Sequence, residues 1–345
     1  MAGATFPGDA WTRCEPADVG MDAGKLSSAR DWLDANASDS GYRVLIVRHG
    51  RIAAEWNVGI HADAYRPIAS AAKSLYSSVL GAAIAAGKLG SADEKVAAHY
   101  PEMMDVPNGR GPKEGRHAFE KDRDITFRQL VSNTSGYMKP GENPGEVFHY
   151  QTYGMNILTN GVATACALYD SAHPDRLPGF AKLVEDRMRD PIDGSWGHFY
   201  TDFDHPPQAK KHIFGHSLRV SSTARDTARA GHLWLNHGSW AGRQVVPADY
   251  MRTATVTNAD ILTNEPESHW KYGLGFWVND HGKQWPDLPR DSFAALGAGA
   301  KMTWVCPSLG MVASANPGVW TRLDDESERV ALQNELLVIL CDAVR

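Results

Sequence analysis

The apolar pattern changes period along this chain, and each change marks an element. From Tyr42 the stretch YRVLIVRHGRIAAEW holds two apolar runs around His49-Gly50, the pattern of a β-hairpin. Alanines and leucines then recur at helical spacing from Ala71 to Ala86, with Gly87 as the stop. Residues 101–124, rich in Pro, Gly and charge, read as an exposed connection. ITFRQLVSNTSGY predicts a short helix running into a turn, and YGMNILTNGVATACALY a longer apolar helix. Residues 190–216 are irregular, with Trp196, Phe199, Tyr200, Phe203 and several histidines, before a helix returns over Arg225–His237. YGLGFWVND, AKMTWVCP and GMVASAN read as strands, and a helix from about Glu326 to Val344 closes the chain.

Strands therefore open and close the chain while helices fill its middle. That order predicts an α+β fold: an antiparallel sheet assembled from both chain ends, flanked by helices, with a mainly helical lobe inserted. The expected division is a sheet lobe from 1–65 and 270–345, a helical lobe over 66–269, and a site at their interface.

Composition narrows the function. The 345 residues are 43% hydrophobic and 22% charged, which supports a large core, in two domains or equally in a single compact unit with two lobes. A formal charge of −6 argues against nucleic acid, which favours a clustered basic face. Short basic patches such as Lys210-Lys211 read as solvated loops. No apolar run approaches the ~18 residues of a membrane span. The N-terminal stretch lacks the basic start and apolar core of a secretory signal, so the expected location is cytoplasmic, or periplasmic or secreted if a leader was removed. Cys14, Cys166, Cys306 and Cys341 form no CxxC pair, which points to free, mostly buried thiols and away from zinc staples. No cofactor or metal is expected, and the oligomeric state leaves no mark on the sequence.

Two chemistry-bearing side chains stand at the mouth of the alanine-rich helix. Ser70 and Lys73, three residues apart, share one helical face with Cβ atoms about 5–6 Å apart. A serine hydroxyl is a poor nucleophile until a base takes its proton. Lysine serves as that base only when desolvation or neighbouring positive charge lowers its pKa, and the apolar surroundings offer desolvation. Taken alone the pair is ordinary, because this composition yields roughly one Ser-x-x-Lys by chance.

Two further stretches add weight. SNTSGYMKPGENPGEVFHYQTYGMNIL carries a turn-rich loop and then Phe148-x-Tyr150 leading into a helix, and FAALGAGAKMTWVCPSLGMV sets Gly297 and Gly299 among small residues before a strand. With SAAKS, LVSNTSGY, PGEVFHYQTYGMNIL, GRQVVPADYM, YGLGFWV and LGAGAKMTWVCPSLGMV in this order, the chain resembles the serine β-lactamase and DD-peptidase superfamily over nearly its full length. The likeness is to the class C-like branch of esterases and amidases. The resemblance implies Ser70 as acylated nucleophile, Lys73 as its proton partner and Tyr150 as the group passing protons to the leaving group and the hydrolytic water. It also implies an oxyanion hole made by the backbone N–H groups of Ser70 and Ala298. Thr152, Gly297, Gly299 and Trp196 are the expected substrate-binding residues, with core packing an equal alternative for Trp196 and its aromatic neighbours.

The chain departs from the family pattern in two places. The family's final Lys-Thr-Gly is here Ala295-Leu296-Gly297, without a cation, and the asparagine that usually follows the tyrosine by two residues is Thr152. Loss of the cation removes a contact to substrate carboxylates, so an uncharged ester or amide is the expected substrate and efficient β-lactam hydrolysis is not. Acyl transfer, D-amino-acid peptidase action or β-lactam reactivity at the same site are alternatives, as is a non-catalytic binding or sensing module. Two other constellations are weaker. Gly215-His216-Ser217 resembles a nucleophile elbow, but Arg219 replaces its second glycine. His212 and His216 have a zinc-compatible spacing, but Ile213 stands where a metalloprotease has glutamate.

Overall fold

The computed structural model describes residues 5–37, 41–201, 217–316 and 325–345. Lys210-Lys211, Phe203, His212, Gly215 and His216, all singled out above, lie outside the described residues.

Among the described residues the five longest helices are α1 (Ala23–Asn36), α2 (Ala72–Ala85), α3 (Tyr153–Ala165), α4 (Ala224–Leu235) and α5 (Glu326–Asp342). The strands are β1 (Tyr42–Arg48), β2 (Arg51–Val58), β3 (Arg66–Pro67), β4 (Gly197–Thr201), β5 (Ser217–Ser222), β6 (Ser239–Trp240) and β7 (Arg243–Gln244). They continue with β8 (Trp277–Val278), β9 (Phe293–Gly297), β10 (Lys301–Cys306) and β11 (Met311–Ala315).

Six strands form one sheet in the order β2-β1-β11-β10-β9-β8, every neighbouring pair antiparallel. The centre of the sheet is thus a seam between the two ends of the chain, with Val44 opposite Ala315 and Ile46 opposite Ala313. The β1–β2 hairpin turns at His49-Gly50 with φ of 49° and 77°, the left-handed pair that a two-residue turn of the primed type requires.

Both faces of the sheet are covered, which explains why β1 is a continuous apolar run. Val44, Ile46, Met302, Trp304 and Ala313 pack with Leu26, Leu33, Leu336, Leu337 and Leu340 from α1 and α5. Leu45, Val47, Val305 and Val312 face the opposite way, into the core shared with α2, α3 and α4. Period-two alternation assigns neighbouring residues of one strand to two separate cores. Two small sheets, β3-β5-β4 and β6-β7, lie within the mainly helical stretch.

Several elements differ from expectation. Of YGLGFWVND, only Trp277–Val278 is a strand, because Gly273 and Gly275 sit against other backbone: a Cβ at 273 would come within 2.3 Å of the Ala254 carbonyl, and Gly275 has φ of +80°. The segment 293–297, read as a glycine-rich lead-in, is itself a strand. Residues 197–201, read as irregular, pair with β5. The 101–124 connection is not simply exposed, since Met103, Val106 and Asp122 are buried. All four cysteines are free, but only Cys306 is fully buried. No described helix is long and apolar enough to cross a membrane.

Candidate active site

Ser70 lies on a 3-10 turn (Ala69–Ala71) that runs directly into α2, not in the first α-helical turn. Its neighbour Ala69 has φ of +52°, a region that non-glycine residues visit at a cost of order 1 kcal/mol and keep only when their surroundings enforce it. Two contacts hold the turn. Ile68 donates its N–H to the Val220 carbonyl of β5, and the end of β9 presses on it from the other side. A Cβ at Gly297 would lie 2.3 Å from the Ile68 carbonyl oxygen and 3.2 Å from the Ala71 nitrogen, so only glycine permits this approach.

Lys73, one turn on, donates from Nζ to the Ser70 Oγ at 2.8 Å. The lysine is 4% exposed. Desolvation is the main force on it and the positive Arg219 on β5 adds to it; together they bring its pKa down from 10.5 to about 7. Near neutrality a substantial fraction of Lys73 is therefore the free amine, able to accept a proton. The Lys73 ammonium nitrogen also lies 4.5 Å from the centroid of the Tyr150 ring. Once protonated, it rests on a ring face whose quadrupole favours a cation.

Tyr150 is placed by the loop that precedes it. Asn133, buried and left-handed (φ +60°), accepts the His149 N–H with its backbone carbonyl at 2.8 Å. Its side-chain Oδ1 accepts the Gln151 N–H at 3.0 Å. Asn133 thus grips both residues flanking Tyr150, and asparagine suits this position because it tolerates αL while offering an acceptor. The Tyr150 ring meets Tyr272 edge-on, centroids 5.8 Å apart, and tilts against Trp277 at 5.5 Å.

Ser70 and Tyr150 open onto one cavity of about 290 Å³, whose walls include Trp277, Gln284, Leu296, Gly297, Ala298, Arg329 and Gln333. Residues from the middle of the chain, β9 and the closing helix converge there. Leu296 contributes an apolar wall next to Ala295, the residue at the missing motif cation's place, and a cation enters from α5 as Arg329.

The other expected binding residues fall differently. Gly297 and Ala298 line the cavity, and Gly299 (φ +74°) makes the turn just beyond them. Thr152 stands at the N-terminal end of α3 without a capping bond and is not part of the cavity wall. Trp196 does not line this cavity; it is buried with Ile68, Ala71, Leu75 and Trp234 beneath the Ser70 turn, the core placement that was the equal alternative. Sequence reasoning missed Arg219, Asn133, Trp277, Gln284, Arg329 and Gln333. Asn133 alone had a local signal, an Asn in a turn-rich loop.

Gln284 is unusual among these. It is 2% exposed, and its side-chain Oε1 finds no hydrogen-bond partner among the described residues. A buried acceptor left unpaired costs about 1–3 kcal/mol.

A β-lactamase family model matches residues 33–333, which takes in the whole of this site. The chain belongs to the β-lactamase family. Solved structures of similar fold include a protein from Bacteroides dorei DSM 17855 assigned as a β-lactamase, with a TM-score of 0.68 at 17% identity, covering 94% of this chain and 99% of that one. A protein from Bacillus anthracis assigned as a 6-aminohexanoate-dimer hydrolase gives 0.67 at 16% identity, covering 97% of this chain and 89% of that one. EstCE1, a hydrolase with promiscuous acyltransferase activity, gives 0.62 at 13% identity, covering 93% and 98%. No curated protein matches the chain. The expected α+β architecture, with helices around an antiparallel sheet built from both chain ends, is the β-lactamase and DD-peptidase-like fold that this family shares.

Proposed function

We propose that this family member is a serine hydrolase that cleaves a carboxylic ester or amide through an acyl-enzyme on Ser70. The observation that carries the reading is the 2.8 Å contact from Lys73 Nζ to Ser70 Oγ, made by a lysine whose pKa burial has brought to about 7. In this reading neutral Lys73 takes the Ser70 proton as Oγ forms its bond to the substrate carbonyl carbon. The backbone N–H groups of Ser70 and Ala298 stabilise the oxyanion. Collapse expels the alcohol or amine, with Tyr150 returning a proton to it. Water, deprotonated through Tyr150 and Lys73, then releases the acid and regenerates Ser70. Ser70 and Tyr150 line one cavity, Lys73 lies behind them in contact with the Ser70 Oγ and 4.5 Å from the Tyr150 ring centroid, and no metal is invoked.

The test is turnover of a short p-nitrophenyl ester by wild type and Ser70→Ala. The expected result is a loss of at least 10³-fold, the scale on which removal of a covalent nucleophile acts. Unchanged turnover by the variant overturns the proposal.

A further inference from the structure

The tip of the β9–β10 hairpin carries a cation that the steps above do not use. Gly297 and Lys301 stand directly opposite each other in the ladder, and Ala298, Gly299 and Ala300 make the turn between them. Gly299 and Ala300 are both left-handed, with φ of +74° and +53°. An alanine keeps that conformation only where its surroundings impose it. Lys301 supplies part of the constraint, because its Nζ reaches back over the turn and donates to the Ala298 carbonyl at 2.7 Å.

The ladder register fixes the side on which this happens. Opposed residues of an antiparallel pair project from the same face of the sheet. A Cβ at Gly297 would meet the Ile68 carbonyl, the Ala71 nitrogen and the Ala69 Cβ, so that face carries the Ser70 turn. Lys301 therefore leaves the sheet on the Ser70 side, and its ammonium ends on Ala298, which lines the cavity together with Ser70. While the carbonyl of Ala298 is occupied in this way, its N–H meets no acceptor among the described residues. An oxyanion donor has to be idle in this sense before substrate arrives.

The charge is harder to account for than the bond. The Lys301 side chain is half-buried, and desolvation alone lowers its pKa, with no carboxylate among the described residues close enough to raise it. A neutral side chain or a bridging water closes a turn as well as an ammonium does. A desolvated cation without a counter-charge is costly, and it suits a place where negative charge appears during the reaction. At this place that charge is the one that develops on the substrate carbonyl oxygen when Ser70 attacks.

We propose that Lys301 is a positioning residue of the oxyanion hole: it fixes the hairpin tip so that the Ala298 N–H is held for the oxyanion, and it sets a positive charge beside that donor. This inference rests on the serine hydrolase reading and adds to it a residue outside the Ser70, Lys73 and Tyr150 set. Its effect belongs to the transition state and not to substrate binding.

The test compares wild type with Lys301→Met and Lys301→Arg in two readouts. One is steady-state hydrolysis of p-nitrophenyl acetate. The other is affinity for phenyl trifluoromethyl ketone, followed by fluorine NMR and independent of turnover. Here Ser70 Oγ bonds the ketone carbon, its proton passes to Lys73, and the ketone oxygen becomes a stable oxyanion. Lys301→Met is expected to lower kcat about tenfold with KM within about twofold, and to weaken ketone binding by a similar factor. Lys301→Arg should stay within about threefold of wild type in both, because it restores the charge and a donor. Lys301→Ala takes the place of the methionine variant if that does not fold. Unchanged kcat and ketone affinity in the uncharged variant overturn the inference, as does a loss that falls on KM instead, or one that arginine does not rescue. Failure of the Ser70 reading shows separately, as ester turnover that Ser70→Ala leaves unchanged or as a wild type that forms no ketone adduct at Ser70.

Discussion

Lys73 concentrates the tension between stability and function in a single side chain. In the unfolded chain its amine has the ordinary pKa of 10.5, and in the fold it falls to about 7. Between those values the unfolded state binds the extra proton, so this group makes stability rise with pH from about 7 to 10.5, and its full cost is present below pH 7. Replacement by a neutral side chain of similar length removes that cost. Lys73→Met is therefore expected to unfold at a higher temperature than wild type at pH 6, with the advantage shrinking toward pH 10, while ester turnover falls by at least 10³-fold. Thermal unfolding across that pH range measures it. A variant equally destabilised at both ends of the range would mean that the amine is not desolvated in the fold. The Ser70–Lys73 pairing was legible in the sequence because a spacing of three on one helix fixes geometry locally. Arg219 and Gln284 were not, because each reaches the site only through long-range pairing: Arg219 on a strand opposite β4, and Gln284 on a loop fastened by Asn279 and Trp285.

The loop around Asn133 is the element on which Tyr150 depends. Its two bonds, to the N–H groups on either side of Tyr150, come from one residue in the left-handed conformation. Asn133→Gly keeps that conformation accessible and retains the backbone carbonyl but removes the Oδ1 acceptor. The expected cost is about 1–2 kcal/mol in stability, with ester kcat down roughly tenfold because Tyr150 loses its fixed position. Chemical denaturation and steady-state kinetics on the same preparation check both figures. Unaltered kcat would show that Tyr150 is held without Asn133. The hairpin at His49-Gly50 and helices α2, α3 and α4 were readable from period and turn chemistry. The shortening of β8 to two residues was not, since it follows from glycines packed against the Ala254 and Lys73 carbonyls, contacts with no local signature. Trp196 stayed open in the sequence for the same reason: a large aromatic near irregular sequence fits a pocket wall or a core equally well.

The molecule joins its two chain ends in one sheet, and the cavity takes its walls from the middle of the chain together with β8, β9 and α5. β1 pairs with β11, α1 packs on α5, and Arg345 donates its backbone N–H to the Gly20 carbonyl at 3.0 Å. α5 serves two purposes, since Leu336, Leu337 and Leu340 face the core while Arg329 and Gln333 face the cavity. Leu337→Ala should thus lower stability by about 2–5 kcal/mol, the cost of a buried leucine cavity, while turnover per folded molecule stays within about threefold. Urea denaturation with activity titration separates the two effects. A parallel collapse of turnover would mean that packing behind α5 also sets the cavity's shape. The antiparallel sheet built from both ends was visible in the order of strand and helix patterns. The allocation of each strand's two faces to two cores, and of one helix to both core and cavity, emerges only once the sheet is closed.

The central claim is that Ser70 attacks with neutral Lys73 as its base. The most direct measurement is the rate of covalent labelling by a fluorophosphonate as a function of pH, with the adduct located by peptide mass spectrometry. The account predicts a single adduct on Ser70 and a rate that climbs through an apparent pKa near 7, with that limb missing and the rate lower by orders of magnitude in Lys73→Met. An adduct on another residue, or the same pH limb persisting without Lys73, would contradict it.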